Sequence, residues 1–155
     1  MTDQAETIRR VLLGALCEAA QLALDGAGAS VTLLDETAAD LVFVAVAGAG
    51  SDWLVGGRFP AHEGVAGHVA RTGELIDAAD LARDPRFADE VGVETGYAPN
   101  RLTAAPLRHG ERVVGVLSVL DPQLAPGHET RVRLAALAKH AEAALRLSDV
   151  LSRSS

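Results

Sequence analysis

The sequence contains very little cysteine: Cys17 is the single thiol among 155 residues. An internal disulfide and any site that requires two thiolates are therefore excluded. Cys17 lies in a segment whose apolar spacing predicts a helix, and no histidine is near it in the sequence to act as a base. We expect a buried thiol rather than a nucleophile.

Long apolar runs and basic clusters are also missing. No apolar segment approaches the ~20 residues that span a bilayer, and the first ten residues carry acids and arginines where a secretory signal has its apolar core. The net charge is -7, and the 14 lysines and arginines are scattered along the chain. The sequence therefore predicts a cytoplasmic protein with no membrane insertion and no direct nucleic-acid partner.

Metal-binding and catalytic patterns are equally scarce. No two of the five histidines have the spacing of a zinc site, the set being His62, His68, His109, His128 and His140. Acidic residues are numerous, but no two of them are arranged as a general acid and base. We predict no metal site and no catalytic residue.

Hydrophobic residues, in contrast, make up 48% of the chain, which suits one domain of ordinary size. We assign residues 1–155 to a single domain, with an N-terminal helix over 1–26, a sheet region over 28–121 and a C-terminal helix over 126–152. Asp3 is expected to cap the first helix, and Gly26 and Gly28 to end it. The last helix is predicted from about His128 to Leu151.

Each terminal helix has an apolar stripe. The stripe of the first helix has alternating spacings of four and three, and it comprises Ile8, Leu12, Ala15, Ala19 and Leu22. That spacing is close to a heptad seam, so it indicates packing either on the domain's own sheet or on a second copy of the chain. The stripe of the last helix comprises Leu134, Leu137, Ala138, Ala141, Leu145 and Leu151.

Between the helices the chain is rich in valine and leucine. Two hairpins are predicted, over 29–47 and over 102–120, with short strands ending near Phe59 and at Leu75 and Ile76. The segment E-G-V-A-G-H-V-A-R-T-G predicts a short helix bracketed by Gly64 and Gly73, in which Gly67 allows a close approach to neighbouring backbone. The acidic passage D-L-A-R-D-P-R-F then has the chemistry of a turn.

The order of these devices resembles the middle and end of a GAF domain. The glycine-bracketed helix, the D-L-A-R-D-P-R-F passage and the final hairpin carry the resemblance, which covers roughly Gly28 to Ala144. It implies an α/β (α+β) fold: a central antiparallel sheet of five or six strands, with the N- and C-terminal helices packed on one face. Short helices and loops are expected to enclose a ligand cavity over the other face.

The resemblance also implies where a ligand binds. Trp53 either forms a lid over the cavity or covers the edge of the core, and Phe87 either anchors the closing segment or contacts the ligand. Tyr97 offers a hydroxyl, and Arg101 either pairs with an acidic ligand or stays solvated. The candidate ligand-binding residues are Trp53, Phe59, Val65, His68, Val69, Phe87, Tyr97 and Arg101. The cofactor, if any, is not identified by the sequence.

The function implied by the resemblance is sensory and non-catalytic. The domain is expected to bind a small molecule and to signal through its terminal helices, either alone or as the sensor part of a histidine kinase in a two-component system, a phosphatase or a transcription regulator. A homodimer is expected through helix residues Ile8, Leu12, Leu134 and Leu145.

Two alternatives remain open at this point: a dimerisation scaffold without ligand, and a haem-binding gas or redox sensor with His68 as the iron ligand. Other activities of the family fit less well. Reduction of methionine sulfoxide and attachment of a bilin both use cysteine beside the cavity, and Cys17 is not placed there. The cyclic-nucleotide signature is absent, since no Asn-Lys pair occurs and Phe87 is too close to Asp89.

Overall fold

The computed structural model describes residues 2–48, 54–85 and 99–153. Three helices are present in these ranges: α1 (Asp3–Leu24), α2 (Gly64–Thr72) and α3 (His128–Arg153). The strands are β1 (Gly28–Leu34), β2 (Asp40–Gly48), β3 (Arg58–Pro60), β4 (Ile76–Ala78), β5 (Leu102–His109) and β6 (Arg112–Leu120). A 3₁₀ turn, Leu81–Arg83, follows β4.

The six strands form one sheet in the order β3-β2-β1-β6-β5-β4. Every neighbouring pair is antiparallel. The strands β1 and β6 lie at the centre, which agrees with the apolar composition of β6 on both of its faces. The predicted α+β architecture is therefore confirmed, with six strands in the sheet.

Both terminal helices pack on one face of this sheet, as predicted. Leu13, Cys17 and Leu24 of α1 are fully buried there, and Leu134 of α3 joins the same cluster. The sheet contributes Ala29, Val31, Ala45, Ala47, Ala105, Leu107, Leu117 and Val119. Burial of large aliphatic side chains, at about 1.5–3 kcal/mol each, makes this cluster the main source of stability.

Of the two packings left open for the predicted stripe of α1, packing on the domain's own sheet is wrong, and packing on a second copy stays a prediction. The buried residues are Ala5, Leu13, Cys17, Ala20 and Leu24, whereas Ile8 and Leu12 are half-buried and Ala15, Ala19 and Leu22 are exposed. The physical reason is that α1 carries two apolar stripes of the same spacing, and the one that includes the thiol faces the sheet. The predicted stripe lies on the outside of the domain.

The ends of α1 also differ from the prediction. The Oγ1 atom of Thr2, rather than the side chain of Asp3, accepts a hydrogen bond from the N–H of Ala5 at 3.1 Å. At the other end Asp25, not a glycine, adopts the left-handed conformation with φ 50°. Asp and Asn tolerate this conformation better than other non-glycine residues, so Asp25 can end the helix before Gly26.

The turn between β1 and β2 is organised by the carboxylate of Asp35. Its Oδ1 atom accepts hydrogen bonds from the N–H groups of Ala39 at 3.1 Å and Asp40 at 3.3 Å. Desolvation by itself raises the pKa of Asp35. The hydrogen bonds from Asp40, Thr37 and Ala39 and the nearby charge of Arg58 outweigh it, so that the pKa lies below its ordinary value. The ionised side chain thereby holds the β1–β2 hairpin closed.

Candidate functional site

The sheet face opposite the terminal helices is the candidate site, because α2 lies over only part of it. Val65 and Val69 of α2 are buried against Ile76, Ala104 and Val116, which belong to β4, β5 and β6. Within residues 2–48, 54–85 and 99–153, no helix packs on this face of β1, β2 and β3. The β1–β3 half of this face therefore has no described helix over it, although its residues Thr32, Leu41 and Phe43 are buried.

Glycines bracket α2 and hold it close to the segment that precedes it. Gly64 and Gly73 have φ of 69° and 71°, left-handed values that bracket the helix. A Cβ atom on Gly67 would lie 2.7 Å from the carbonyl carbon of His62, so no larger residue fits at this position. The predicted close approach of α2 to neighbouring backbone is confirmed, and the partner is the segment that leads into the helix.

Two aromatic side chains contact one another where β2 and β3 meet. Phe59 is half-buried, and its ring centroid lies 5.6 Å from that of Phe43 with the planes tilted by 49°. Such a tilted pair adds roughly 0.5–1.5 kcal/mol beyond burial. Phe43 was not among the predicted site residues, although the alternation of side chains along β2 places it on the same face as Leu41, the Cα partner of Phe59.

Three hydroxyl groups lie near the centre of this face. Ser30 and Ser118 are direct Cα partners across β1 and β6, and Thr32 pairs with Val116, which packs under α2. Thr32 is 2% exposed, and its Oγ1 atom has no hydrogen-bond partner among residues 2–48, 54–85 and 99–153. The sequence signal that could have indicated them is the placement of hydroxyl residues in strands that are otherwise apolar.

Arg101 does not point into this site, contrary to the prediction. Its Nε and Nη2 atoms donate to the two carboxylate oxygens of Asp77 at 3.0 and 2.9 Å. Its Nη1 atom donates to the carbonyl oxygens of Pro122, at 2.8 Å, and Leu124. The side chains of Arg101 and Asp77 are 10% and 4% exposed. With its donors engaged in this way, Arg101 ties β4 and β5 to the segment that enters α3 and is not available to an acidic ligand.

The remaining predicted residues divide into two groups. His68 is half-buried on α2, where its carbonyl oxygen accepts a hydrogen bond from the Thr72 hydroxyl at 2.8 Å, and its role as an iron ligand stays a prediction. Trp53, Phe87 and Tyr97 lie outside the described residues. Their predicted contacts with a ligand therefore stay predictions as well.

The described residues offer little for catalysis. The only thiol, Cys17, lies on the opposite face of the sheet, and burial raises its pKa to about 12. At neutral pH it is therefore a protonated thiol, which is a poor nucleophile. Among residues 2–48, 54–85 and 99–153, no three His, Cys, Asp or Glu side chains converge in a group that could hold a metal ion. None of the helices in this part of the chain has the length and apolar character needed to span a membrane.

Comparison with known proteins assigns the family. A family model described as the GAF domain matches residues 9–145. The chain belongs to the GAF domain family. GAF domains are generally ligand-binding regulatory or sensor domains.

Solved GAF structures have the same fold. The GAF domain of a phosphoenolpyruvate-protein phosphotransferase from Acinetobacter is 21% identical, with a TM-score of 0.76 over 97% of both chains. The GAF-B domain of DevS from Mycobacterium smegmatis is 21% identical, with a TM-score of 0.73 over 95% of this chain and 99% of that one. Free methionine-R-sulfoxide reductase from Neisseria meningitidis, solved with its substrate, is 22% identical, with a TM-score of 0.75 over 96% of this chain and 87% of that one.

In this GAF domain the residues brought together opposite the terminal helices are therefore Val65 and Val69 of α2, the Phe43–Phe59 pair and the hydroxyl residues of β1 and β6. Val65, Val69 and Phe59 were predicted from the sequence. Arg101 is therefore no longer a candidate ligand-binding residue, whereas Phe43 and the hydroxyl residues of β1 and β6 become candidates.

Proposed function

We propose that this GAF domain is a non-catalytic sensor that binds a small molecule against the β1–β3 half of the sheet face opposite its terminal helices. The observation that carries the proposal is the partial cover that α2 gives to this face. Val65 and Val69 close the β4–β6 half with aliphatic packing, whereas no described helix lies over the half that contains Thr32 and Phe43. A concave, mostly apolar surface with few polar groups is the usual form of a small-molecule site.

The thiol chemistry of the chain supports a binding role over a reductase role. The solved reductase of similar fold was captured with its substrate, which shows that the fold accommodates a small molecule in that protein. Reduction of a sulfoxide by protein thiols ends in a disulfide and so needs a reachable thiolate and a second cysteine. This sequence has only Cys17, which is fully buried on the far side of the sheet with a raised pKa.

A hydrogen-bonded connection links the site to the C-terminal helix and supports a signalling role. The Arg108 guanidinium donates to the carbonyl oxygen of Gly73, at the end of α2, at 2.9 Å. The backbone N–H of the same residue donates to the Glu142 carboxylate on α3 at 2.6 Å. Because one residue contacts both helices, a shift of α2 on ligand binding is transmitted directly to α3. We infer two helix arrangements whose equilibrium the ligand biases.

The outer face of α1 supports a homodimer. Val11 and Leu22 are 65% and 81% exposed, and Ile8 and Leu12 are half-buried beside them. This row has the heptad-like spacing of a helix seam, so the second copy is proposed to pack α1 against α1. Leu134 cannot take part, since it is fully buried in its own subunit, and Leu145 already packs against that core.

Native mass spectrometry of freshly purified protein tests the ligand proposal. A sensor is expected to show a co-purifying small molecule, and removal of that molecule by unfolding and refolding is expected to lower the melting temperature. Binding of a ligand at 100 times its Kd stabilises a domain by about 2.7 kcal/mol. A scaffold without ligand shows one unmodified mass and the same melting temperature before and after refolding, and that result would reject the proposal.

Size-exclusion chromatography with light scattering tests the dimer. Leu22→Glu places a charge on the proposed seam and is expected to give a monomer. Val55→Glu is the matched control, because Val55 is 41% exposed but lies next to β3, away from α1. A dimer that persists in Leu22→Glu, or a wild-type chain that is monomeric at high concentration, contradicts the α1 interface.

Spin labels test whether the arrangement of α3 changes when the ligand binds. In a Cys17→Ala background, Val150→Cys offers a single reactive thiol near the end of α3, where the native side chain is 49% exposed. The distance between the two labels of a dimer is expected to differ between the protein as purified and the refolded protein without ligand. Identical distance distributions in the two states would show that α3 does not respond to the ligand.

A further inference from the structure

The hydroxyl oxygen of Thr32 is a buried polar atom that the described fold itself does not use. It is buried, the residue being 2% exposed, and no group in the described part of the chain forms a hydrogen bond with it. Its Cα partners on the neighbouring strands are Phe43 and Val116, neither of which carries a side-chain donor or acceptor. A buried hydroxyl without a partner is uncommon in native proteins, because its lost hydration is not replaced.

A second, equally buried threonine shows what the chain does when a hydroxyl has a structural role. Thr103 in β5 is fully buried, and its hydroxyl donates to the carbonyl oxygen of Ile76 at 3.1 Å. Thr103 thus satisfies its hydroxyl within the domain, whereas Thr32 does not. The hydroxyl of Thr32 can therefore still bind a polar group from outside the described residues.

Thr32 is also part of a polar group of side chains. Ser118 is 6% exposed, and Ser30 is its direct Cα partner, two residues before Thr32 in the same strand. Side chains opposite one another on antiparallel strands lie about 5 Å apart, and diagonal neighbours about 7–8 Å apart. The three hydroxyls are therefore close enough to contact one small molecule together.

The described strand positions around this group carry no charge. The strand positions that share the face, at 43, 102, 104, 106, 116 and 120, are Phe, Leu, Ala, Pro, Val and Leu, and none of them is ionisable. A carboxylate or ammonium group placed here would lose its hydration without gaining a counter-ion from these strands, which is far more costly than burying a neutral polar group. Hydroxyls, in contrast, can donate to and accept from an uncharged group.

We propose that the ligand of this GAF domain presents an uncharged hydrogen-bonding group, such as an alcohol, carbonyl or amide, to the hydroxyl of Thr32, with Ser118 and Ser30 as the neighbouring contacts. The inference rests on the proposed ligand site and deepens it by naming the class of ligand. The rest of the molecule contacts the apolar side chains around this group.

Three proteins test the inference: the wild type, Thr32→Val and the matched control Thr103→Val. Each is titrated, with backbone amide NMR as the readout, with two sets of probes that differ in one group. The first set is benzyl alcohol, benzoate and toluene, and the second is cyclohexylmethanol, cyclohexanecarboxylate and methylcyclohexane. The melting temperature of each protein without probe is measured as well.

The expected binding result is specific to the alcohols. They shift the amide signals of β1 and β6 in the wild type, and Thr32→Val weakens their binding about three- to tenfold, the loss of one neutral hydrogen bond. Thr32→Val leaves the affinity for the two hydrocarbons unchanged. The two carboxylates bind most weakly to all three proteins. Thr103→Val, which keeps the hydroxyl of Thr32, preserves the preference for the alcohols.

The expected stability result has opposite signs for the two threonines. Thr32→Val removes an unsatisfied group and raises the melting temperature of the ligand-free protein by about 2–4 °C, whereas Thr103→Val breaks a hydrogen bond and lowers it by a similar amount. If Thr32→Val lowers the melting temperature as Thr103→Val does, the hydroxyl is used within the domain and the inference is overturned.

The remaining outcomes separate this inference from the proposed function. Alcohols that shift the amide signals of β1 and β6 but bind as tightly to Thr32→Val as to the wild type overturn the ligand class and leave the proposed site in place. Carboxylates that bind more tightly than the alcohols do the same. If no probe shifts these strands and no small molecule co-purifies with the protein, the proposed function and the ligand class are both overturned.

Discussion

Replacement of Arg101 by methionine tests whether this residue is a structural clamp or a ligand contact. The guanidinium makes a two-point ion pair with Asp77, whose side chain is 4% exposed, and it also donates to the carbonyl oxygens of Pro122 and Leu124. Methionine preserves much of the side-chain length and its apolar packing but removes the donors. The carboxylate of Asp77 is then left buried without a partner.

The expected cost follows from these contacts. Removal of one partner of a buried ion pair costs about 3–5 kcal/mol, and each lost hydrogen bond to a carbonyl adds about 1 kcal/mol. Domains of this size are stable by only about 5–15 kcal/mol. The total cost is about 5–7 kcal/mol. For a chain of about 150 residues each kcal/mol lowers the melting temperature by about 2–4 °C, so Arg101→Met is expected to melt about 10–28 °C below the wild type.

Urea denaturation followed by far-ultraviolet circular dichroism measures the effect, with Arg83→Met as the matched control. The side chain of Arg83 is 89% exposed and lies 3.7 Å from the Asp80 carboxylate, so its removal is expected to change the free energy of unfolding by less than about 0.5 kcal/mol. A loss below about 1 kcal/mol in Arg101→Met, equal to that of the control, would refute the clamp. Unchanged stability together with lost ligand binding would restore Arg101 to the site.

Three further predictions concern packing, backbone freedom and the buried thiol. Gly115→Ala is expected to cost about 1–3 kcal/mol in urea denaturation, because its new methyl group would overlap a carbonyl oxygen of the neighbouring strand. Gly14 lies within α1, and a Cβ atom added to it would have no atom within 4 Å, so Gly14→Ala is expected to stabilise the domain by about 0.5–1 kcal/mol. A lower free energy of unfolding in Gly14→Ala would contradict this expectation. Burial raises the pKa of Cys17 from 9.0 to about 12, so its contribution to stability is complete below pH 9 and is lost as pH rises towards 12. The free energy of unfolding is expected to fall in that window by up to about 1.4 kcal/mol per pH unit more steeply than in Cys17→Ala, and parallel curves for the two proteins would reject the buried thiol.

Much of the fold could be predicted because its signals are local. The glycines that bracket α2 and the valine-rich strands of the last hairpin depend on backbone freedom and on side-chain alternation, which are encoded within a few residues. For the same reason Val65 and Val69, spaced four apart on a short helix, were placed correctly on its packed face. The bounds of β5, β6 and α3 likewise agree with the prediction to within a few residues.

The errors occurred where a residue's partner is distant in the sequence. The role of Arg101 is fixed by Asp77, 24 residues away, and by two carbonyl groups more than 20 residues away. No local pattern shows that these groups meet, so an arginine near a predicted cavity was interpreted as a ligand contact. The unpartnered hydroxyl of Thr32 has the same origin, since only the assembled sheet shows that its neighbours are Phe43 and Val116.

The two apolar stripes of α1 show why spacing alone did not identify the core. Leu13, Cys17, Ala20 and Leu24 repeat at four, three and four residues, and so do Ile8, Leu12, Ala15 and Ala19. A single surface helix needs only one apolar stripe to pack on its sheet. Because the sheet takes the stripe that contains the thiol, the other stripe lies outside the core cluster, with Ile8 and Leu12 half-buried and Leu22 81% exposed. Exposed leucine and valine in a row indicate an interaction surface, and for this reason the second stripe is better evidence for a dimer than the heptad-like spacing that first suggested one.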